Sequence, residues 1–357
     1  MTKITPAEIT PDLLAEMLEI PLPEVWRYAK ATDRHYEPTV KIRVNGKERE
    51  IDKPKNYFKP FLKKLHDVLK GLNLFHSSAH GGIKKRSPQT SAKQHCGKRC
   101  NFTRDIKSCF PSTTPTMIRK GLCCAGFLPD TAKLLSLLLT VRGRVPQGAN
   151  TSVDAINLLF ICMDDKLSRL CEGAGFVYTR YVDDCVISGR DVDKGKRLVE
   201  ILENEIESIG LRINQAKSKT AVAAEHQQSV QGLLVHRSSG TMIDPEKKQV
   251  ALQIAHDYLA NCRKLTPASI IEAAALRKKL LGHYSYFRSS TFSIAKHLKK
   301  QLRIGDRLVL RQAGARNIQC KDGKWWNSRR NKKNAIGELH RIHAILVDQF
   351  DSVSQRR

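Results

Sequence analysis

Asp183 and Asp184 are the residues whose type and spacing most directly imply chemistry. They stand side by side in Tyr178-Thr179-Arg180-Tyr181-Val182-Asp183-Asp184-Cys185-Val186-Ile187-Ser188. Runs of β-branched and aromatic residues flank them, the pattern of a β-hairpin with Val182-Asp183-Asp184 at or near its turn. A plain surface turn more often carries Gly or Asn, and the first glycine downstream is Gly189. Paired carboxylates on a stiff hairpin bind hard cations such as Mg²⁺ through oxygen. A solvated acidic turn is the bland alternative. One pair of acids does not separate the two, so the question passes to what the rest of the chain supplies.

A third carboxylate comes from Asn101-Phe102-Thr103-Arg104-Asp105-Ile106, a short strand candidate that runs into Cys109-Phe110-Pro111-Ser112. Strand, helices, acidic hairpin, amphipathic helix and strand follow in order, which describes an α+β sheet backed by helices. Asp105 and the hairpin acids could meet on it. Three carboxylates can bridge two divalent ions, which activate an attacking hydroxyl and stabilise a leaving pyrophosphate. Charge points the same way. The chain carries 62 basic against 35 acidic residues, a net +27. The excess runs through most of the sequence, as expected of a protein that binds a polyanion. Charge kept for solubility is the alternative. A membrane-surface role is disfavoured, since no basic amphipathic anchor stands out.

The N-terminus reads Met1-Thr2-Lys3-Ile4-Thr5-Pro6, without a signal-peptide core, and no apolar run approaches a membrane span. A cytoplasmic protein without membrane contact is expected. Ten cysteines then read as reduced thiols. The Cys96-Gly97-Lys98-Arg99-Cys100 spacing has no second pair to complete a zinc site.

The elements that must position these residues are legible as patterns. Helices are expected over 10–30, opened by Thr10-Pro11, and over 57–72. Asn45-Gly46 between two alternating runs predicts a hairpin over 40–51 that carries Lys41, Arg43, Lys47 and Arg49. The Gly-, Ser- and Lys-rich stretch 77–98 reads as loop. Helices follow from Thr114-Pro115, over 130–141 and, as one apolar helix, over 153–170; Asp164-Asp165 is read as one face of it. An amphipathic helix over 193–209 is stopped by Gly210. Short strands are expected at Leu211–Asn214 and Val230–Val235. Beyond residue 244 the chain reads as helical and basic, with one helix from Thr266-Pro267 to Gly282. Lys321–Lys333 reads as a loop with Trp325, Trp326, Arg329 and Arg330.

Five segments in this order resemble the palm of a reverse transcriptase. Tyr181-Val182-Asp183-Asp184 is similar to that family's Tyr-x-Asp-Asp motif. Arg104-Asp105-Ile106-Lys107-Ser108-Cys109-Phe110-Pro111-Ser112 resembles its first catalytic motif, and Val145-Pro146-Gln147-Gly148-Ala149-Asn150-Thr151-Ser152 its Pro-Gln-Gly motif. Asn214-Gln215-Ala216-Lys217 looks like the lysine-bearing motif, and Val230-Gln231-Gly232-Leu233-Leu234 like the primer grip. Ser91-Ala92-Lys93-Gln94-His95 stands where retron enzymes carry Asn-Ala-x-x-His, with Ser for Asn. Val230-Gln231-Gly232 stands where they carry Val-Thr-Gly, with Gln for Thr.

The resemblance implies a right-hand polymerase. Fingers would span 1–100, palm 101–243 with 113–145 completing the fingers, and a helical basic thumb 244–357. It implies an RNA-directed DNA polymerase of bacterial retron type. Such an enzyme uses two Mg²⁺ ions, with Mn²⁺ as a substitute, and takes dNTPs. It copies a cognate structured non-coding RNA that is template and primer into RNA-linked multicopy single-stranded DNA. Retron enzymes commonly serve anti-phage defence beside a separate effector or toxin. Other group II-like reverse transcriptases and an idle RNA-binding protein on the same scaffold are the alternatives. An RNA-copying RNA polymerase is disfavoured by Phe110 and by the lack of a Gly-Asp-Asp hairpin.

Carried onto matching positions, Asp105, Asp183 and Asp184 would hold metal, with the Ile106 backbone. Phe110 would be a steric gate against a ribose 2′-hydroxyl, with core packing as the alternative. Gln147 and Gly148 would lie against the incoming nucleotide. Arg49, with Arg43 or Lys41, would hold the triphosphate, and Lys217 would serve the leaving pyrophosphate. Tyr181, Gly232, Leu233 and the Trp325, Trp326, Arg329, Arg330 segment would touch nucleic acid. His95 has no role derivable from the chemistry.

Overall fold

The computed structural model describes residues 4–44, 46–222, 228–236, 240–264, 267–288, 292–312, 318–321 and 324–327. It divides into two units, 1–241 and 242–357.

In the first unit Pro11 opens α1 (Pro11–Leu18), and the Thr10 side chain accepts from the Leu13 amide. After α2 (Leu22–Lys30) comes the hairpin of β1 (Val40–Val44) and β2 (Lys47–Ile51). Helices α3 (Lys59–Gly71) and α4 (Pro88–Gln94) lead to β3 (Cys100–Asp105). Then follow α5 (Cys109–Ser112), α6 (Pro115–Cys124), α7 (Pro129–Leu138), α8 (Ser152–Leu159) and α9 (Ile161–Gly173). Strands β4 (Val177–Tyr181) and β5 (Asp184–Gly189) form the acidic hairpin, and α10 (Val192–Ile209) ends on Gly210 at φ 97°. The last elements are β6 (Lys219–Val222), β7 (Ser229–Val230) and β8 (Leu233–His236), and β9 (Gly240–Ile243) spans the division between the units.

Four strands form the antiparallel sheet that matters, in the order β4-β5-β3-β6. Strand alternation gives it two chemically distinct faces. On one, Phe102, Arg104, Tyr178 and Ile187 point at the helices: Phe102 packs on Gly195 of α10, Arg104 bonds Glu203, and the Tyr178 hydroxyl donates to Asp164 of α9. On the other, the row Asp105–Asp184–Tyr181 comes first, then Thr103–Val186–Thr179, then Asn101–Ser188–Val177. The far end of this face is covered by α4, which also packs on β7 and β8.

The second unit packs α11 (Pro245–Lys264), α12 (Pro267–Phe287) and α13 (Phe292–Gln312) around Tyr258, Leu280, Phe287 and Leu298. Arg277 and Tyr258 both donate to the buried Asp306 inside it. No helix among the described residues is long and apolar enough to cross a membrane.

Several expectations are corrected. The stretch read as loop contains α4, opened by a Ser87–Thr90 capping box with Pro88 in the first turn. The helix expected over 153–170 breaks at Phe160 into α8 and α9. Gly121 of α6 seats directly on the Leu159 backbone there. Leu211–Asn214 makes only a bridge, Ile106 to Ile213, and the missed strand β6 pairs with β3 instead. Val230–Val235 is not one strand but the β7–β8 hairpin, turned by Gln231 and Gly232 at φ 46° and 75°. Gly282 does not end α12, because burial of Phe287 on the bundle outweighs the roughly 1 kcal/mol propensity cost of one glycine. Lys321 and Trp325-Trp326 lie on a two-stranded ribbon, β10 (Ile318–Lys321) with β11 (Lys324–Asn327), where a loop was expected; aromatic residues favour strands. Arg329 and Arg330 lie outside the described residues. Cys124 and Cys162 form a disulfide, Cα atoms 6.4 Å apart, rather than two thiols. Packing of α6 on α9 brings them together, which sequence spacing does not reveal.

Candidate active site

The acidic hairpin folds as its sequence dictates, with one unusual turn residue. Val182 sits at φ 61°, a left-handed conformation that a β-branched side chain rarely adopts. The turn puts Asp183 at its tip and starts β5 on Asp184, which pairs in register with Asp105 on one side and Tyr181 on the other. The Ile106 amide donates to the Asp183 carbonyl at 3.0 Å, joining the end of β3 to the turn. Three carboxylates from two distant segments thus share one corner of the sheet.

Their electrostatics follow from crowding. Burial, then the neighbouring Asp183 and Asp105, push the Asp184 carboxyl up to about 6. Burial, with Asp105 adding to it, raises that of Asp183. Lys217 reaches in from the short 3-10 turn Gln215–Lys217 and forms an ion pair with Asp105 Oδ1. Its ammonium is held more strongly protonated, chiefly by that hydrogen bond. The corner therefore concentrates negative charge and draws in a cation.

Hard carboxylate oxygens from three residues are a suitable donor set for divalent ions. Among the described residues, however, no three His, Cys, Asp or Glu side chains converge tightly enough to hold one ion as they stand. Asp105 is engaged by Lys217 instead.

A cleft of about 850 Å³ opens over this corner. Its lining includes Asp105, the Ile106 backbone position, Phe110, Gln147, Gly148, Tyr181, Asp183, Asp184, Lys217 and Arg49. Phe110 projects from α5, which follows Ser108 in a left-handed conformation, φ 49°. Arg49 enters from β2. In the hairpin register Arg49 faces Ile42, whereas Lys41 and Arg43 pair with Glu50 and Glu48 on the opposite face. Lys41 bonds Glu48 at 3.0 Å, and neither Lys41 nor Arg43 lines the cleft.

Gly148 adopts φ 126°, and a Cβ there would lie 3.2 Å from both the Asp52 carbonyl oxygen and the Ile51 side chain. Its immediate reason for being glycine is thus close packing on the end of β2. The Asp52 amide donates to the Gln147 carbonyl at 2.9 Å beside it. Gly232 and Leu233 sit at the β7–β8 turn, and the cleft lining does not include them; Leu233 is buried. Trp325 and Trp326 belong to the second unit.

Two buried clusters, one on each face of the hairpin, make partnerships that the sequence does not specify. On the helix side Arg180, fully buried, makes a two-point ion pair with Asp164, 2.9 Å from Nε and 2.6 Å from Nη2. Asp165, its neighbour, is on the surface paired with Arg169. The helix face expected from Asp164-Asp165 is therefore split, with one acid out and one in the core. The findable signal was a basic residue inside an apolar strand and an acid inside an apolar helix. On the other face His95 bridges both strands, Nδ1 to Ser188 Oγ at 2.7 Å and Nε2 to Thr179 Oγ1 at 2.8 Å. Ser91 Oγ lies 2.8 Å from the same Thr179 hydroxyl. Burial lowers His95 to about 3, so it is neutral. The segment opened by Ser91 and closed by His95 is thus a clamp on the acidic hairpin.

Comparison with known proteins adds the following. Residues 39–252 match the family described as reverse transcriptase (RNA-dependent DNA polymerase). The chain is 28% identical over 204 residues to the retron Mx65 reverse transcriptase of Myxococcus xanthus, covering 52% of this chain and 48% of that protein. It is 31% identical over 234 residues to the retron Mx162 reverse transcriptase of the same organism, covering 57% and 48%. The chain thus spans about half the length of these curated relatives. A solved telomerase from Candida tropicalis, bound to a TWJ fragment of telomeric RNA, aligns over 82% of this chain and 61% of its own at 12% identity and TM-score 0.46.

Proposed function

This chain belongs to the reverse transcriptase (RNA-dependent DNA polymerase) family, and we propose that it is an RNA-directed DNA polymerase of retron type. One observation carries the reading: Asp105 and Asp184 pair directly across the sheet, with Asp183 at the adjoining turn, in a cleft that also holds Arg49, Phe110, Gln147 and Lys217.

Asp105, Asp183 and Asp184, with the Ile106 carbonyl, would hold divalent cations, Mg²⁺ or Mn²⁺ in its place. When bound, these supply Lewis acidity to the attacking hydroxyl and the leaving pyrophosphate. The side chains do the rest. Arg49 grips the triphosphate through its guanidinium fork. The Phe110 ring crowds the sugar at C2′ and selects dNTPs. Gln147 orients the nucleotide, while Gly148 seats that loop on the fingers hairpin. Lys217 moves its charge from Asp105 to the pyrophosphate as it leaves. Tyr181, in the acidic row, lies under the primer terminus, and Gly232 and Leu233 support the primer strand. Trp325 and Trp326, with Arg329 and Arg330, would serve nucleic-acid binding.

The finer reading rests on resemblance to the retron enzymes. The template and primer are a dedicated structured RNA, the product is DNA joined to it, and an effector protein works beside them in anti-phage defence. Sequencing the nucleic acid that co-purifies checks this layer.

The decisive assay offers the purified chain primed RNA, Mg²⁺ and dNTPs. DNA synthesis is expected, and Asp183→Asn should cut it by about a thousandfold or more, the scale of losing an essential group. Full synthesis by that variant refutes the site, and none by the parent favours an idle scaffold.

A further inference from the structure

The acidic turn is held from behind by a closed ring of contacts. Arg180 Nη1 donates to the Val182 carbonyl at 2.8 Å and to Asn157 Oδ1 at 3.1 Å. Asn157 Nδ2 donates to the Gly81 carbonyl at 3.0 Å. Gly81 closes the ring against Val182: a Cβ on it would fall 2.4 Å from the Val182 side chain and 2.8 Å from its amide nitrogen. The loop carrying Gly81 is itself tied to β4, since the Arg180 amide donates to Ser78 and the His80 amide to the Arg180 carbonyl. Phe160 floors the guanidinium, its ring centroid 4.8 Å away.

Core filling does not account for this arrangement. Arg180 and Asp164 are both fully buried, and an apolar pair of like volume packs a core as well without the desolvation cost. What an apolar pair lacks is a donor for the carbonyl of a residue in a left-handed conformation. Asp164 occupies Nε and Nη2, which leaves Nη1 aimed at the turn. Val182 needs such restraint, because a β-branched residue at φ 61° leaves that conformation unless its surroundings fix it.

The geometry points to Arg180 as a positioning residue for nucleotidyl transfer. By holding the Val182 carbonyl it sets the direction in which Asp183 and Asp184 present their carboxylates, with Asp164 and Asn157 orienting it. This rests on the polymerase reading for its consequence, though not for the brace itself.

The test uses the full chain in two variants. Arg180→Met combined with Asp164→Asn removes both charges together, so no buried ion is orphaned. Arg180→Lys keeps a charge for Asp164 but loses the planar fork. Hydrogen exchange over 178–188 is measured beside thermal melting and steady-state kinetics. The expected result is a folded protein with amide exchange at the turn faster by about tenfold or more. Its kcat should fall by about tenfold to a hundredfold with the KM for dNTP within about twofold, since the triphosphate contacts are elsewhere. A folded variant with parental exchange overturns the brace, and faster exchange with parental kcat overturns its role in catalysis. If the double variant does not fold, Arg180→Lys carries the same readouts. If the parent makes no DNA, the polymerase reading fails alone, and exchange still decides the brace.

Discussion

The β4–β5 hairpin and the β1–β2 hairpin both present charge to the cleft, yet they are held in opposite ways. The first is gripped on both faces, by Arg180 and Asp164 on one and by His95 on the other, with none of these groups reaching water. The second stands in solvent, with Val40 and Ile42 53% and 40% exposed, and is fastened at its base. There the buried Asp52 accepts from Thr39 and Arg142, and Arg144 pairs with Asp52 and Glu50. The contrast separates two tasks. On the proposed function, carboxylates that would share ions must keep fixed spacing, which buried and fully bonded polar groups provide. On the same reading, an arm that would hold a triphosphate must admit substrate and release product, which suits an element with few buried contacts.

The largest expected effect sets the two anchors against each other. Asp164→Ala leaves the Arg180 charge buried and alone, at a cost of about 3–5 kcal/mol. Asp52→Ala leaves Arg142 and Arg144, 32% and 22% exposed, able to reach water, for roughly 1–2 kcal/mol. Urea unfolding measures both, and equal losses would break the comparison.

Next comes the pH response of the second grip. His95 is held neutral down to about pH 3, while in the unfolded chain it takes a proton near 6.5. The unfolded state therefore binds the extra proton within that window, and stability falls as pH drops from about 6.5 towards 3. His95→Gln keeps hydrogen-bonding atoms but cannot titrate, so its melting temperature should fall less steeply on acidification than the parent's. Parallel curves would show that this contact does not govern the acid response.

A smaller effect is expected at the base of the β1–β2 arm. Gly148→Ala forces a Cβ onto the Asp52 carbonyl at a positive φ, costing about 1–3 kcal/mol. Because it displaces the base of the β1–β2 arm, KM for dNTP should rise more than kcat falls. Smallest in stability is Arg49→Ala on the exposed arm, which should raise dNTP KM while leaving the melting temperature near the parent's. Lys41→Ala, on the opposite face of the same hairpin, should change neither. An equal KM rise in both would mean that both faces of the arm reach the triphosphate.

What could be read in the sequence follows the same division. Local patterns sufficed for the acidic turn, the Asn45-Gly46 hairpin, the strand ending on Asp105 and the cap at Thr10, because each depends on neighbours in the chain. Strand alternation from the Asn45-Gly46 turn also separates Arg49 from Lys41 and Arg43, a distinction that a reading by charge alone passes over. The clamp and the brace were not legible in the same way. His95 meets strands more than 80 residues later, and Asp164 meets Arg180 across two elements. A short polar helix such as α4 carries little periodic signal, and β6 is defined by its pairing with β3 rather than by its composition. Gly148 was readable as necessary, but whether substrate or protein backbone comes close to it depends on tertiary packing.

The register of β3 on β5 also fixes the order in which this corner can be assembled. Asp105 and Asp184 pair although about 80 residues separate them, so closing that ladder carries the slow kinetics of a non-local contact. The β4–β5 turn and the helices between can form locally and early, whereas β3 waits with both edges unpaired until β5 and β6 arrive. A nascent chain stopped before residue 189 would hold all three acids and lack the complete strand that aligns them. The acidic corner thus depends on pairings that the chain makes only after β5 and β6 are available, and until then β3 is an unpaired strand open to misassembly.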